Sequence, residues 1–198
     1  MIPSSEINGL VLAGGSGSRM GRDKATLDIH GMPQWQFSYQ LLKEFCENVW
    51  VSLRPTSIPA DIHEDRIIFD EYENLGPVAG ILSAFKSDNE KAWYTLACDL
   101  PLVDEKLLEQ LLQARNKDMI ATAFWDKAKR YPEPLICIWE PRAYELLMEM
   151  VNSGFKSPRK VLLDGDTKFI QPQNSNRLLN LNYPEDLLEV QKYIALKR

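Results

Sequence analysis

Residues 7–24, INGLVLAGGSGSRMGRDK, decide the fold. The stretch begins with Ile7 to Leu12, an apolar run of strand length, and passes directly into a glycine-rich loop that ends at Lys24. Glycines let backbone N–H groups converge on an anion, and Arg19 and Lys24 add positive charge. A strand followed by such a loop predicts a phosphate-binding turn at the carboxyl end of a parallel sheet. The alternative is a flexible strand-to-helix turn whose charges are solvated.

Short apolar runs alternate with helical patterns along the rest of the chain. Trp93 to Cys98 is continuously apolar, which is typical of a strand buried on both faces, and Val103 to Arg115 carries leucines along one helical stripe. Alternating strands and helices predict a mostly parallel sheet covered by helices, an α/β fold of the Rossmann-like three-layer type. The length fits one domain over residues 1–198.

The second half of the sequence has a weaker pattern. We expect Pro132-Glu133-Pro134 to break strand structure, with a strand beginning at Leu135. We also expect a short strand over residues 178–181. The region from about 131 to 173 is expected to form a lobe on the edge of the sheet.

Composition excludes several classes of protein. A hydrophobic share of 44% argues against disorder, and a net charge of −5 argues against broad nucleic-acid binding. Cys46, Cys98 and Cys137 are odd in number and widely spaced, which favours reduced thiols over a disulfide scaffold or a zinc cluster. No stretch has the pattern of a signal peptide or a membrane span. We therefore expect a cytoplasmic protein without nucleic-acid or membrane partners.

Two common phosphate-binding motifs fit the glycine-rich loop poorly. A Walker loop requires Gly-Lys-Ser or Gly-Lys-Thr, but Arg22 follows Gly21. The dinucleotide fingerprint requires two residues in its second gap, whereas three residues separate Gly17 from Gly21. The segment LAGGSGSRMGRDK, residues 12–24, instead resembles the signature loop of nucleotidyltransferases related to nucleoside-diphosphate-sugar pyrophosphorylases. Among these it is most similar to the loop of the molybdenum cofactor guanylyltransferases.

This resemblance implies a nucleotide-diphospho-sugar transferase type of fold and a nucleotide bound along the loop. The residues that it assigns to the nucleotide are Leu12, Ala13, Gly14, Gly15 and Lys24. Arg19 and Lys24 are then catalytic residues that stabilise the leaving pyrophosphate. The resemblance also implies a nucleotide-binding half over residues 1–101 and an acceptor-binding half over residues 102–198.

Asp99 lies immediately beyond the apolar run that ends at Cys98. A carboxylate oxygen in that position suits Mg²⁺, which takes one or two carboxylates together with substrate phosphates. Without the resemblance, a turn-forming or helix-capping aspartate before Pro101 is the simpler interpretation. The resemblance assigns Asp99 to the catalytic magnesium ion and to the nucleotide.

The resemblance places the base and ribose at Asp70 and at the segment Leu75-Gly76-Pro77-Val78-Ala79-Gly80. Gly76 and Gly80 would let the backbone approach a flat base, and a carboxylate accepts hydrogen bonds from guanine N1–H and its amine. The alternative for Asp70 is an acid that caps the following helix. Ser52 stands where the family often has asparagine, so a shorter side chain is expected to contact the nucleotide there.

On the acceptor side, the resemblance points to Asn180 and Asn182 near the C-terminus, and more weakly to Arg159 and Lys160 as phosphate partners. The alternatives are that the asparagines only begin the last helix and that the basic pair is solvated.

The activity implied is transfer of GMP from GTP to molybdopterin with release of pyrophosphate, dependent on Mg²⁺. Molybdoenzymes or other cofactor-biosynthesis proteins are the expected partners. Three alternatives stay open: a cytidylyl or sugar-phosphate transferase of the same fold, a protein that binds a nucleotide or cofactor without catalysis, and a protein-interaction module. A glycine at position 14, where the cytidylyl enzymes usually have alanine, favours guanine.

Overall fold

The computed structural model describes residues 3–15, 20, 23–56, 58–59 and 62–195. The strands of this described part are β1 (Ile7–Leu12), β2 (Val49–Leu53), β3 (Ile67–Phe69), β4 (Ala92–Ala97), β5 (Ala121–Asp126), β6 (Tyr131–Trp139) and β7 (Thr167–Ile170). Its α-helices are α1 (Gln34–Lys43), α2 (Pro77–Ser87), α3 (Glu105–Gln113), α4 (Ala143–Asn152), α5 (Pro158–Asp164) and α6 (Pro184–Ala195). Short 3₁₀ helices cover Lys24–Thr26, Glu64–Arg66 and Ser175–Leu178.

The strands form one sheet in the order β3-β2-β1-β4-β6-β5-β7. Strands β3, β2, β1 and β4 are mutually parallel, and β7 is parallel to β5. Strand β6 runs antiparallel to both of its neighbours, β4 and β5. The predicted α/β fold with a mostly parallel sheet is therefore confirmed.

Helices cover both faces of the sheet because side chains alternate between the faces along each strand. On β4, Trp93 packs in the core that contains α2, α4 and α5, and the next residue, Tyr94, packs in the core that contains α1 and α3. Both aromatic side chains are buried, and each satisfies its polar atom. Trp93 Nε1 donates to the carbonyl of Asp88 at 2.9 Å, and Tyr94 Oη donates to that of Leu108 at 2.7 Å.

The start of α2 is set by Gly76 and Pro77. Gly76 has a φ of +58°, a left-handed conformation that favours glycine, and Pro77 occupies the first position of the helix. The sequence prediction of a helix opening at Pro77 is confirmed.

The expected break at Pro132-Glu133-Pro134 is wrong, because β6 runs through all three residues. The pairing of β5 with β6 shifts between Ala123 and Phe124, so that Cys137 and Glu133 face consecutive residues of β5. Pairing between β6 and β4 involves only Ile136 to Trp139. Pro132 and Pro134 are tolerated because this part of β6 has no partner on the β4 side and carries the bulge.

Two further expectations about the second half are wrong. Region 131–173 does not form a lobe, because β6 lies inside the sheet between β4 and β5. The segment 178–181 is not a strand. Asn174 caps a 3₁₀ turn over Ser175–Leu178, and Leu181 makes a single backbone hydrogen bond to the carbonyl of Asp99 at 2.7 Å. In the described residues, no helix is long and apolar enough to cross a membrane.

Candidate functional site

A cavity of about 820 Å³ opens at the carboxyl ends of β1, β2, β3 and β4. This is the edge at which ligands bind in open parallel sheets. Most of the residues predicted to bind the nucleotide line it: Leu12, Ala13, Gly14, Gly15, Lys24, Ser52, Asp70, Gly76 and Asp99. The glycine-rich loop and the predicted base-binding residues therefore face one cavity.

Lys24 and Asp99 lie side by side in this cavity. Lys24 begins the 3₁₀ helix after the glycine-rich loop, and the Asp23 carboxylate caps that helix by accepting from the amide of Ala25 at 3.0 Å. Lys24 Nζ donates to Asn182 Oδ1 at 2.9 Å and lies 3.7 Å from Asp99 Oδ2. Both charged side chains are about one-fifth exposed, so their charges interact in an environment that water screens less than it does at the surface.

One carboxylate oxygen of Asp99 receives no hydrogen bond from any of the described residues. Its Oδ1 is buried without a hydrogen-bond partner, while Oδ2 faces Lys24. Burial raises the pKa of the Asp99 carboxyl, and the charge of Lys24 opposes that shift. A buried carboxylate oxygen that lacks a partner is a suitable ligand for a hard cation.

The donor set around Asp99 fits Mg²⁺ better than a metal held by protein alone. In the part of the chain that the structure describes, no three histidine, cysteine or acidic side chains cluster to hold a metal. Mg²⁺ commonly takes one or two carboxylates and completes its shell with water and substrate phosphates. Asp99 Oδ1 is the residue atom that would hold it.

Asp70 and Ser52 form the other end of the cavity. Asp70 directly follows β3, and its Oδ1 accepts a hydrogen bond from Ser52 Oγ at 2.6 Å. Burial raises the pKa of Asp70, and the Ser52 hydrogen bond and the charge of Arg54 lower it in part. The Oδ2 atom points at Gly14, where an added Cβ would lie only 2.7 Å away. Glycine at position 14 therefore leaves room for this carboxylate.

Gly80 lies behind the cavity instead of lining it. An added Cβ would lie 2.1 Å from Ser52 Oγ and 3.0 Å from Leu12 Cδ2. Its close approach to Ser52 from α2 lets the serine hydroxyl reach Asp70. Gly80 thus contributes to the site indirectly, through the position of the Ser52 side chain.

The predicted catalytic residue Arg19 lies outside the described residues. Residues on either side of it do contact the fold. Ala13 donates its amide to the carbonyl of Ser52 at 3.0 Å, which holds the start of the loop against β2. Met20 packs in a small apolar cluster with Leu102, Leu181 and Val190.

The four predicted acceptor residues are placed differently from one another. Asn182 lines the cavity, whereas Asn180 Oδ1 accepts from Lys129 Nζ at 2.7 Å outside it. Arg159 lies with its guanidinium 3.7 Å from the ring centroid of Tyr131. Lys160 pairs with an acid of its own helix and does not line the cavity. The structure brings only Asn182 to the Lys24–Asp99 pair.

Sequence reasoning missed two charged features near the site. Arg54 lines the cavity directly beyond β2, a strand end that should have drawn attention. Lys129 is the second: its Nζ lies 3.4 Å from Asp126 Oδ2 and 3.7 Å from Glu133 Oε2, and both acids are buried. The available signal was the close spacing of Asp126, Lys129 and Glu133 around the turn between β5 and β6, where Asp126 Oδ1 accepts from the amides of Ala128 and Lys129.

Comparison with known proteins identifies the family. The family model for the MobA-like NTP transferase domain matches residues 9–180. The chain is 34% identical over 186 residues to a molybdenum cofactor biosynthesis bifunctional protein of Synechocystis sp.. That match covers 93% of this chain but only 54% of the relative, so the chain spans about half the length of that protein.

A second relative matches over nearly its full length. The molybdenum cofactor guanylyltransferase of Pseudomonas entomophila is 32% identical over 184 residues, which cover 90% of this chain and 95% of the relative. The crystal structure of molybdopterin-guanine dinucleotide biosynthesis protein A from Archaeoglobus fulgidus superposes with a TM-score of 0.77 at 20% identity, covering 96% of this chain and 99% of that one. These likenesses confirm the predicted fold type and the resemblance found in the glycine-rich loop. The chain belongs to the family of MobA-like NTP transferase domains.

Proposed function

We propose that the protein transfers GMP from GTP to molybdopterin and releases pyrophosphate. A terminal phosphate oxygen of molybdopterin attacks the α-phosphorus of GTP. The bond from the α-phosphorus to the oxygen that bridges to the β-phosphate breaks, and pyrophosphate leaves with that electron pair. The observation that carries the proposal is the buried, unpartnered Oδ1 of Asp99 beside Lys24 in a cavity at the strand ends. A relative named for this activity, matched over 95% of its length, supports the choice of substrates.

Lys24 stabilises the charge that develops on the leaving pyrophosphate. Its ammonium group is fixed by Asn182 Oδ1 and by the Asp99 carboxylate, so little reorganisation is needed when the substrate binds. The glycines at the end of β1 allow the triphosphate to approach the backbone closely, and Arg19 is proposed to add a second cation. No covalent intermediate on the protein is required, because alignment and charge neutralisation supply the catalysis.

Asp99 would hold Mg²⁺ through Oδ1. When bound there, Mg²⁺ neutralises negative charge on the phosphates and orients the leaving group. The protein's own contribution is a carboxylate beside Lys24 whose Oδ1 is buried and has no hydrogen-bond partner among the described residues.

The nucleoside is proposed to lie toward Asp70 and Ser52. The Asp70 carboxylate is an acceptor for guanine N1–H and the exocyclic amine, which are both donors. Gly14 leaves space for that carboxylate, and Gly76 exposes backbone at the same end of the cavity. This arrangement favours guanine over cytosine, because cytosine presents only one donor group, its N4 amine.

The acceptor is proposed to enter from the side of Asn182 and Leu135. Of the described residues beyond position 101, these two line the cavity. Asn180 then acts by fixing the Asn182 segment through Lys129, and Arg159 and Lys160 remain predicted contacts for more distant parts of the acceptor.

The test is an assay of pyrophosphate release with GTP or CTP, molybdopterin and Mg²⁺. We expect GTP to be used in preference to CTP. Asp99→Asn and Lys24→Ala should each lower the rate by about 10²- to 10³-fold. The matched controls Asp118→Asn and Lys106→Ala change exposed residues outside the cavity and should leave the rate unchanged.

Each alternative activity predicts a different result in this assay. Equal or better use of CTP would favour the cytidylyl alternative. Absence of pyrophosphate with any nucleotide, in a protein that still binds GTP, would favour a binding protein without catalysis.

A further inference from the structure

The positively charged side chain of Arg54 lines the cavity, and the proposed mechanism gives it no role. Arg54 directly follows β2, and its Nε is buried with no hydrogen-bond partner in the described part of the chain. Within the described part of the chain, its guanidinium forms no ion pair with an acid. A buried N–H donor without an acceptor lowers stability, and a ligand that supplies an acceptor recovers that loss.

Arg54 lies at the Asp70 end of the cavity. Its Cγ and the Oδ2 of Asp70 flank the same glycine, since a Cβ added to Gly14 would lie 3.6 Å and 2.7 Å from them. The positive charge of Arg54 also acts on Asp70, because it offsets part of the rise in pKa that burial causes. By contrast, Asp99 follows β4, and β1 lies between β2 and β4. Two strand spacings, about 10 Å, therefore separate the end of β2 from the end of β4.

A carboxylate and a guanidinium in this arrangement are complementary to one base. Guanine presents two donors, N1–H and the 2-amine, and on the neighbouring edge two acceptors, O6 and N7. The carboxylate matches the donors, and the planar fork of arginine matches the acceptor pair. Adenine has an amine in place of O6, and cytosine has no N7, so neither base satisfies both groups.

We propose that Arg54 determines nucleotide specificity by donating hydrogen bonds to O6 and N7 of the bound guanine, on the edge next to the one that Asp70 binds. The inference rests on the proposed function, because it takes GTP as the nucleotide. It assigns Arg54 to the base and leaves the phosphates to Lys24.

The test compares three nucleotides on two proteins. Dissociation constants are measured with Mg²⁺ for GTP, for 7-deaza-GTP, which lacks the N7 acceptor, and for ITP, which lacks the 2-amine. Wild type should bind 7-deaza-GTP roughly tenfold more weakly than GTP, within the range known for arginine–guanine pairs. Arg54→Met keeps the apolar stem, and it should bind GTP more weakly while no longer distinguishing 7-deaza-GTP. Both proteins should still bind ITP more weakly than GTP, because Asp70 is intact.

Two further variants keep the result interpretable. Arg142→Met changes an exposed arginine that follows the C-terminal end of β6. Because β6 is antiparallel to β4, this end lies beside the start of β4, away from the cavity, and the variant should behave as wild type. If Arg54→Met does not fold, Arg54→Lys keeps the charge but loses the fork, and it should also lose the discrimination against 7-deaza-GTP.

Two results would overturn the inference. One is unchanged GTP affinity in Arg54→Met. The other is an equal loss of affinity for GTP, ITP and 7-deaza-GTP with the N7 penalty retained, which would place Arg54 on the phosphates or ribose. Failure of the proposed function looks different, because wild type itself would then prefer CTP or release no pyrophosphate.

Discussion

Asp70 is a carboxylate that has lost most of its water without gaining a full ion pair. Ser52 donates one hydrogen bond to it at 2.6 Å, and Arg54 contributes positive charge from nearby. Burial nevertheless dominates and raises its pKa. The folded protein therefore holds the Asp70 proton more tightly than the unfolded chain does. Stability from this group is present below its unfolded pKa and is lost as pH rises through the folded value.

The affinity for GTP should depend on pH in the opposite direction to the stability contributed by Asp70. Guanine offers donors to this carboxyl, so binding favours the deprotonated form, and GTP affinity should rise as pH increases through the raised pKa of Asp70. The measurement is the GTP dissociation constant between pH 4.5 and 7.5 for wild type and Asp70→Asn. The ratio of the two affinities should climb by up to about tenfold per pH unit and then level off. The phosphates of GTP titrate equally in both experiments, so a ratio that stays flat would remove Asp70 from base recognition.

Single residues were predicted from the sequence where a motif singled them out. The loop ending at Lys24 and the aspartate after a buried strand led to the pair that the structure finds 3.7 Å apart. Arg54 was missed because a cation after a strand is commonplace at a surface. Its importance depends on the burial of Nε, which only the folded chain reveals.

At the scale of secondary structure, helix α2 supports the site through its packing on β2. Gly80 of α2 approaches Ser52 so closely that an added Cβ would lie 2.1 Å from Oγ. In an ordinary helix interior, alanine is more stable than glycine by about 1 kcal/mol. Here the contact with Ser52 outweighs that gain.

Gly80→Ala should lower both stability and GTP affinity. Overpacking costs about 1–3 kcal/mol, and the shortest contact, with Ser52 Oγ, is relieved when that hydroxyl turns away from Asp70. We expect a decrease in Tm of about 2–12 °C, measured by calorimetry, together with weaker GTP binding. The same substitution in a Ser52→Ala background should cost clearly less, because the clashing oxygen is gone. Equal costs in the two backgrounds, or a gain in Tm in wild type, would contradict this account of Gly80.

The elements themselves were predicted well where hydrophobic periodicity was strong. The strand over β4 and the helix at α3 follow directly from their apolar patterns. The prediction fails at β6 because prolines such as Pro132 and Pro134 ordinarily end a strand, whereas a bulge and the absence of a β4 partner along this part of β6 let the strand continue through them. Neither feature can be read from one sequence, because both depend on the pairing partner.

At the scale of the whole molecule, the sheet order explains why one cavity gathers the site. Strand β1 lies between β2 and β4, so the loop that follows it faces Asp70 and Arg54 on one side and Asp99 on the other. A nucleotide lying across these strand ends would place its base at β2 and β3 and its phosphates at β4. The first hundred residues supply most of this surface. The division into a nucleotide-binding half over residues 1–101 and an acceptor-binding half over residues 102–198 stays a prediction.

The family and the fold could be predicted from the sequence, but the acceptor surface could not. Lys129 reaches Asn180 because the turn between β5 and β6 meets the segment that follows the 3₁₀ helix Ser175–Leu178 in the folded chain. The sequence shows Arg159 only as a basic residue in a segment that resembles the acceptor side of the family. Its position over Tyr131 depends on how α5 packs against β6.

The most direct test of the account is a crystal structure of the protein with GTP and Mn²⁺ in place of Mg²⁺, with the metal located by its anomalous signal. We predict Mn²⁺ at about 2 Å from Asp99 Oδ1. The phosphates should lie beside Lys24, and the guanine should lie between Asp70 and Arg54. Metal bound away from Asp99, or a triphosphate that does not contact Lys24, would contradict the central claim.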